Sequence, residues 1–487
     1  MTYRMLCTLT CLALLTAARS ASADDSELSD VQQTAVADVE ARTEELADVN
    51  HAIWEYAEIG LEEHRSAALL VQKLKDNGFE VETGIAGMPT AFVAEYGSGG
   101  PIIGILAEYD ALPGLSQKAV PYREPLEEGA PGHACGHSGL GTGAYGAALA
   151  VKKAMDEHGL EGTIRLYGTP AEETALGKVY MVLDNVFDDL DVCLHWHPST
   201  KNGAVAGSSK ALVSVKFTFD GIAAHGAVSP HDGRSALDAV ELMNTGVNFM
   251  REHVKEDCRM HYVITDGGGQ PNVVPPHATV WYYVRADTHE DVEYYFDWVN
   301  DIAEGAARMT RTELTVQIDT DCHELIPNTP LSEAILTNMN AIGAPTFTAE
   351  EHAFAARIQE PLTAEFGTAF PATINENILT LAESSETGKG STDVGDISWL
   401  VPTGGVRTAC MAAGSPGHSW QNVACIGSSI GEKGIVFAAK VLAVTTIQLL
   451  QDEELRVAAR ADFEERMQDR EYTTLIPEGQ PVPKKIR

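Results

Sequence analysis

The chain has 487 residues, enough for more than one hydrophobic core, so two or three domains are expected. An apolar content of 44% with 21% charged residues fits a folded globular protein and not a disordered one. The 34 basic side chains stand against 70 acidic ones, a formal net charge of −36, which repels phosphate backbones and anionic lipid and so argues against nucleic-acid and membrane-surface partners.

The first 23 residues have the three-part order of a secretory signal. Arg4 precedes an apolar run from Met5 to Ala18, and Ala21-Ser22-Ala23 matches an A-x-A cleavage pattern. The apolar run is shorter than the ~20 residues of a spanning helix, so the expectation is an exported protein, periplasmic or secreted. Of the 8 cysteines, Cys7 and Cys11 lie in this leader. Cys135, Cys193, Cys258, Cys322, Cys410 and Cys425 remain, too widely spaced to suggest a disulfide scaffold.

Residues 27–79 carry apolar positions at three- and four-residue steps and read as helical, ending at Asn77-Gly78. "AFVAEYG" and "PIIGILAEYDALPG" then read as strands, the second a continuous apolar run of the kind covered on both faces. "GTGAYGAALAVKKAMDEHG" reads as a helix, and "GTIRLYGTPAEE" and "VFDDLDVCLHWHP" as buried strands. This alternation predicts an α/β sheet with helices on both faces. From about residue 209 the pattern changes to β-α-β-β-α-β through residue 324, a small ferredoxin-like α+β domain inserted into the larger one. The catalytic domain is thus expected over 27–208 and 325–451. A charged tail over 452–487 reads as a surface helix followed by a Pro-rich end.

Four strand-to-loop ends carry chemistry. "GHACGHS" places His133, Cys135 and His137 before a helix N-terminus, where α/β sheets gather their sites. Thiolate and imidazole suit zinc and related ions, although C-x-H alone also fits an ordinary turn. "TPAEET" offers Glu172 and Glu173; one carboxylate can bind a metal while its neighbour stays free as a base. "CLHWHPS" puts His195 and His197 on one face of a short strand, and "GSPGHSWQ" places His418 in a small-residue loop. Together these donors are the kind of set that holds two metals ~3.5–4 Å apart. The glycine run after His137 lacks G-x-G-x-x-G spacing, so no dinucleotide site is expected.

These segments, together with "AEYDALPGL", "GIAAHGAVSPHDGRSALDAVELM", "GGGQPNVVPPHATVWYYVRA" and "STDVGDISW", resemble the aminoacylase and carboxypeptidase-G family of dinuclear metallo-amidohydrolases. Several are similar to its p-aminobenzoyl-glutamate hydrolase branch, particularly "SPHDGRSALDAV". The resemblance implies two divalent ions, zinc or manganese, held by Cys135, His137, Glu173, His197 and His418. The Cys135 thiolate would bridge the ions, and "W-H-P" selects His197, whereas more distant members would select His195. It implies Glu172 as general base toward a metal-bound hydroxide, and Asp110 as the acid that orients a ligand. The small domain resembles the family's dimerisation or lid domain. His225 there would reach a partner subunit's site to stabilise an oxyanion, and Asn272 and Arg285 would hold the substrate carboxylate. Two features depart from the branch: Ser138 follows His137 where many relatives carry Asp, and the signal sets the chain apart from cytoplasmic p-aminobenzoyl-glutamate hydrolases.

The expected function is hydrolysis of the amide between an acyl or aryl-acyl group and an amino acid, on N-acyl amino acids or p-aminobenzoyl-glutamate-type substrates, by a homodimer joined through the lid. A dipeptidase or carboxypeptidase of the same fold is the alternative. A thiol hydrolase built on Cys135, and a non-catalytic ligand-binding homologue, are the readings from other classes.

Overall fold

Eleven strands form two separate sheets in the computed structural model, which describes residues 27–174, 176–367 and 369–483. The proposed signal lies outside the described residues. In chain order the strands are β1 (Glu80–Thr83), β2 (Phe92–Ser98), β3 (Ile102–Ala107), β4 (Gly162–Gly168), β5 (Val192–Ser199), β6 (Gly203–Val205), β7 (Ala211–Asp220), β8 (Arg259–Asp266), β9 (His277–Ala286), β10 (Glu313–Cys322) and β11 (Thr403–Ala409).

The larger sheet has the order β1-β2-β4-β3-β5-β11-β6. Its centre, β4-β3-β5-β11, is parallel, and antiparallel β2 and β6 flank it. The apolar runs Ile102–Ala107 and Val192–Trp196 occupy that centre because both their faces are covered. One face carries helices Asp30–Ala41, Thr43–Tyr56, His137–His158 and Ser429–Gln451 in a single continuous core. The last of these is apolar enough to cross a bilayer by composition, but most of it is buried among its neighbours, as in a core helix. The other face packs Tyr167, Val179, Phe187 and Ile397, with the turn helices Gly177–Leu183 and Val394–Ser398 against it.

The smaller sheet, β10-β7-β9-β8, is antiparallel throughout and is covered by helices Ala236–Met250 and His289–Thr310. It has the β-α-β-β-α-β order expected from the period-two pattern. The chain enters and leaves this lid through two adjacent segments. Ser208 Oγ donates to Leu325 O at 2.7 Å, and Leu325 N donates to Ser209 Oγ at 3.0 Å. The inserted domain is thereby tied at one hinge.

The C-terminal segment behaves differently from a charged surface tail. Helix Glu453–Met467 forms, and the chain beyond it packs across the junction of the two domains. Leu475 lies against the lid core and Ile476 is 4% exposed in the catalytic core. Leu475 N donates to Asp321 Oδ2 at 2.7 Å, and the Tyr472 ring lies 4.6 Å from His323. These apolar residues are spaced among prolines and charges with no period, which hides them from pattern reading. Truncating the buried side chain, Ile476→Ala, is expected to cost about 2–5 kcal/mol in chemical denaturation; a change within about 0.5 kcal/mol is what a solvated tail would give.

Candidate metal centre

The carboxyl ends of the parallel strands and the lid enclose a cavity of about 440 Å³. Cys135, which lines it, and His137, buried just behind, flank Gly136, whose φ of 91° is left-handed. A Cβ there would also meet Pro198 Cβ at 3.0 Å and Met411 Cε at 3.1 Å, so the turn requires glycine twice over. The helix expected to follow begins at His137 itself, which stands in its first turn. Three non-glycine residues near the cavity also have left-handed φ: Ala171 (63°) and Leu176 (53°) around the glutamate pair, and His418 (53°). Strain of this kind persists only where surrounding structure imposes it.

Five donors converge. Cys135 Sγ lies 3.4 Å from His197 Nε2, and Glu173 Oε1 lies 3.3 Å from His418 Nε2 and 4.0 Å from His137 Nε2. Ligand atoms of Cys135, His137 and His197 lie within 4.8 Å of one another, as do those of Cys135, Glu173 and His418. A third group, His137 with Glu172 and Glu173, meets the same limit, and Cys135 is shared by the first two. His137 Nε2 is buried with no hydrogen-bond partner, and Glu173 Oε1 meets the His418 imidazole at its edge, so the site presents donors aimed at a cation. Sulfur, nitrogen and carboxylate donors in this mixture fit zinc or manganese.

Asp110 orients the set. One oxygen accepts from His137 Nδ1 at 2.8 Å and the other from Glu173 N at 2.9 Å, leaving His137 Nε2 turned toward Glu108 and Glu173. His197 Nδ1 lies 2.7 Å from Pro198 O, so it carries the proton and Nε2 is the ligand nitrogen. His195, on the same strand face, lies deeper against the bare Cα of Gly405, where a Cβ would come within 2.3 Å of its Nε2. It lines the cavity outside the donor groups, so the geometry favours His197. His133 bonds Ile53 O at 3.0 Å, and burial with the His137 charge depresses its pKa to about 3: it is a neutral core histidine. The Ser138 hydroxyl is buried and unpartnered.

Electrostatics separate the two glutamates. Burial, then the charges of Glu173 and Glu108, raise Glu172 well above the ordinary carboxylate range. Burial also opposes ionisation of Glu173, but the His418 hydrogen bond and the His137 charge outweigh it and hold its pKa low. Burial and Glu173 push the Cys135 thiol up, so a nucleophilic thiolate is disfavoured and only a cation would reverse the sign. The two neighbouring carboxyls are thus pushed in opposite directions, Glu172 up and Glu173 down.

One group escaped the sequence reading. Lys178 is fully buried between Glu108 Oε1 and Asp393 Oδ1, each at 2.6 Å. Glu108 Oε2 lies 3.3 Å from His137 Nε2. Burial opposes its ionisation, yet Lys178 and His137 bring its pKa down to about 2. Only the flanking "AEYDALP" and "STDVGD" runs marked two of its members. Arg285 lines the cavity from β9, with its Nε buried and unpartnered. His225 and Asn272 are not brought to this cavity. They lie in exposed loops of the lid, adjacent to each other, with Gly226 N donating to Asn272 O at 2.8 Å.

Comparison with known proteins agrees with this geometry. The model of peptidase family M20/M25/M40 matches residues 104–445. The chain is 40% identical over 463 residues to a p-aminobenzoyl-glutamate hydrolase subunit of Escherichia coli, covering 91% of this chain and 96% of that one. It is 28% identical to the mouse Xaa-Arg dipeptidase over 466 residues, covering 91% and 94%. A dinuclear metal-binding peptidase of the M20 family from Bacillus subtilis shares the fold, with TM-score 0.56, 18% identity and coverage of 85% and 99%. The chain belongs to the M20/M25/M40 peptidase family, and it is a metal-dependent hydrolase of amide or peptide bonds.

Two outcomes follow from the geometry. Asp110→Ala should weaken divalent-metal affinity by ~10–100-fold in competition with a chromogenic chelator; unchanged affinity would mean that His137 and Glu173 hold their own positions. In metal-stripped protein the Glu173–His418 interaction should carry a signed pH dependence. Glu173 lies below its ordinary 4.5, so its share is present above that pH and lost as pH falls through the folded value. His418 lies above its ordinary 6.5, so its share is present below that pH and lost as pH rises through the folded value. The difference in Tm between wild type and His418→Ala in chelator should therefore be widest between pH 4.5 and 6.5 and narrow on either side.

Proposed function

We propose that this protein cleaves the amide bond between an acyl or aryl-acyl group and an amino acid, with N-acyl amino acids or p-aminobenzoyl-glutamate-type conjugates as substrates. The observation that carries the reading is the convergence of Cys135, His137, Glu173, His197 and His418 with Glu172 next to them and Arg285 facing the same cavity. The five donors would hold two divalent ions, zinc or manganese, which when bound polarise a carbonyl and acidify water. Glu172 takes the proton of the attacking water and returns it to the leaving nitrogen. Burial raises its pKa, the direction that makes a carboxylate a stronger proton acceptor. Arg285, with an unsatisfied Nε, receives the amino acid's carboxylate. A cationic wall of this kind suits an acidic or neutral amino acid better than a basic one, which sets the dipeptidase reading second.

The active form in this reading is a homodimer paired through the lid. β8 is a sheet edge, with Tyr262, Val263 and Ile264 exposed on it and Ile222, Val228 and Val273 exposed nearby. An open apolar edge is a template for pairing with another chain. His225 lies beside that edge, bridged to Val273. Its Nδ1 accepts the amides of Ala227 and Val228 at 3.2 Å, so Nε2 carries the proton and is free to donate to an oxyanion in a partner's site. Asn272 travels with it. The leader pattern of residues 1–23 supports a location outside the cytoplasm, where N-acylated amino acids from the surroundings would be the substrates.

Chelation should abolish turnover of an N-acyl amino acid panel, and zinc or manganese should restore it. Glu172→Gln should lower kcat by ~10²–10⁴-fold while metal content, read by atomic emission, stays at the wild-type level. Turnover that survives chelation and is killed by alkylation would replace this reading with a thiol hydrolase. Val263→Asp should shift the light-scattering mass from dimer to monomer and reduce kcat with it; full activity in a monomer would remove His225 from the site.

A further inference from the structure

The cavity wall holds a second cation that neither the metal ligands nor the general base engages. Among the described residues lining the cavity, the lysine and arginine side chains are Arg285, from the lid, and Arg407, from β11 of the catalytic sheet. Arg407 pairs in parallel register with His197, so both side chains leave the same face of the sheet at its carboxyl end. It has no carboxylate partner among the described residues. Surrounding atoms desolvate the guanidinium without compensation, which lowers its pKa although the side chain is exposed to cavity solvent.

Its surroundings extend beyond the metal centre. Arg407 and Gly388 stand where the cavity meets a neighbouring groove of about 280 Å³, which Lys201 and Lys389 also line. Of the two acids in that groove, Glu383 is engaged by the Thr380 amide and hydroxyl at 2.9 and 2.7 Å, while Glu386 adds one negative charge. Ser391 Oγ lines the cavity, buried and with no hydrogen-bond partner. An unpaired guanidinium beside a site built for two divalent cations is repelled by them unless an anion comes between. In a chain whose acids outnumber its bases by 70 to 34, leaving such a cation unpaired calls for an anion from outside.

We propose that Arg407 is the specificity-determining residue of a second carboxylate subsite, so that the enzyme selects acyl amino acids carrying an acidic group besides the carboxylate held by Arg285. This inference rests on the amide-hydrolase reading. The second acid belongs either to the amino acid or to the acyl chain, and the guanidinium fork receives it in the same way.

The test compares two pairs of substrates: N-benzoylglutamate with N-benzoylglutamine, and N-glutaryl-leucine with N-pentanoyl-leucine. Wild type is expected to favour the acidic member of one pair, which tells on which side of the bond the subsite lies. Arg407→Met should reduce that kcat/KM ratio about 20-fold, chiefly through KM, and Arg407→Lys should retain part of it. A ratio near one in wild type for both pairs, or a ratio that Arg407→Met leaves unchanged, would overturn the proposal. Calorimetry with glutarate and butyrate gives a readout independent of turnover: wild type should bind glutarate more tightly, and Arg407→Met should lose the difference. If wild type hydrolyses none of the four amides, the amide-hydrolase reading fails. The glutarate comparison then decides Arg407 alone, and equal binding by wild type and variant would sink it.

Discussion

The site depends on one buried carboxylate. Asp110 is 1% exposed, and its two oxygens fix two separate parts of the chain, the His137 ring and the Glu173 amide. By accepting from Nδ1, Asp110 sets the orientation of the His137 ring and leaves Nε2 as the ligand nitrogen. Its neighbour Glu63 shares the burial: desolvation, then the Asp110 charge, raises Glu63 to about 8, so Glu63 keeps its proton at neutral pH. Glu63 in turn accepts the Ala171 amide at 2.7 Å, which locks the strained turn that presents the glutamate pair. Proton placement and backbone placement are thus one arrangement.

The same logic governs the acids around it. Glu108, Glu172, Glu173 and Asp393 crowd a desolvated region where an uncompensated charge is costly. Lys178 neutralises two of them from a fully buried position and gives Glu108 a fixed orientation beside His137. Glu172 responds by a raised pKa instead of a partner, which leaves it free to move a proton. A scaffold that neutralised every acid would have no base to offer; here Glu172 keeps a raised pKa beside the donor cluster.

The lid contributes by position more than by bulk. Its hinge is a pair of adjacent segments tied by Ser208 and Ser209, and the segment carrying Leu475 and Ile476 packs on both domains. Arg285, from the lid, and the ends of the catalytic strands line one cavity beside that hinge. The apolar edge at β8 lies elsewhere on the lid, so one small domain separates the surface for a partner from the surface for substrate.

By itself, the sequence determined the local chemistry: buried apolar runs for the parallel sheet, period-two alternation for the lid, and short-range donor spacings such as C-x-H, the Glu172–Glu173 pair and W-H-P. These are properties of a few consecutive residues, so periodicity and resemblance reach them. Tertiary structure decided what depends on residues far apart in the chain. His195 and His197 share a residue type and a strand face, and only the height of the strand end against Cys135 separates them. Lys178 with Glu108 and Asp393, the docked Ile476, and Arg407 beside His197 are each ordinary in sequence. They acquire meaning because burial and charge compensation are sums over neighbours that the fold brings together, and no local pattern encodes those neighbours.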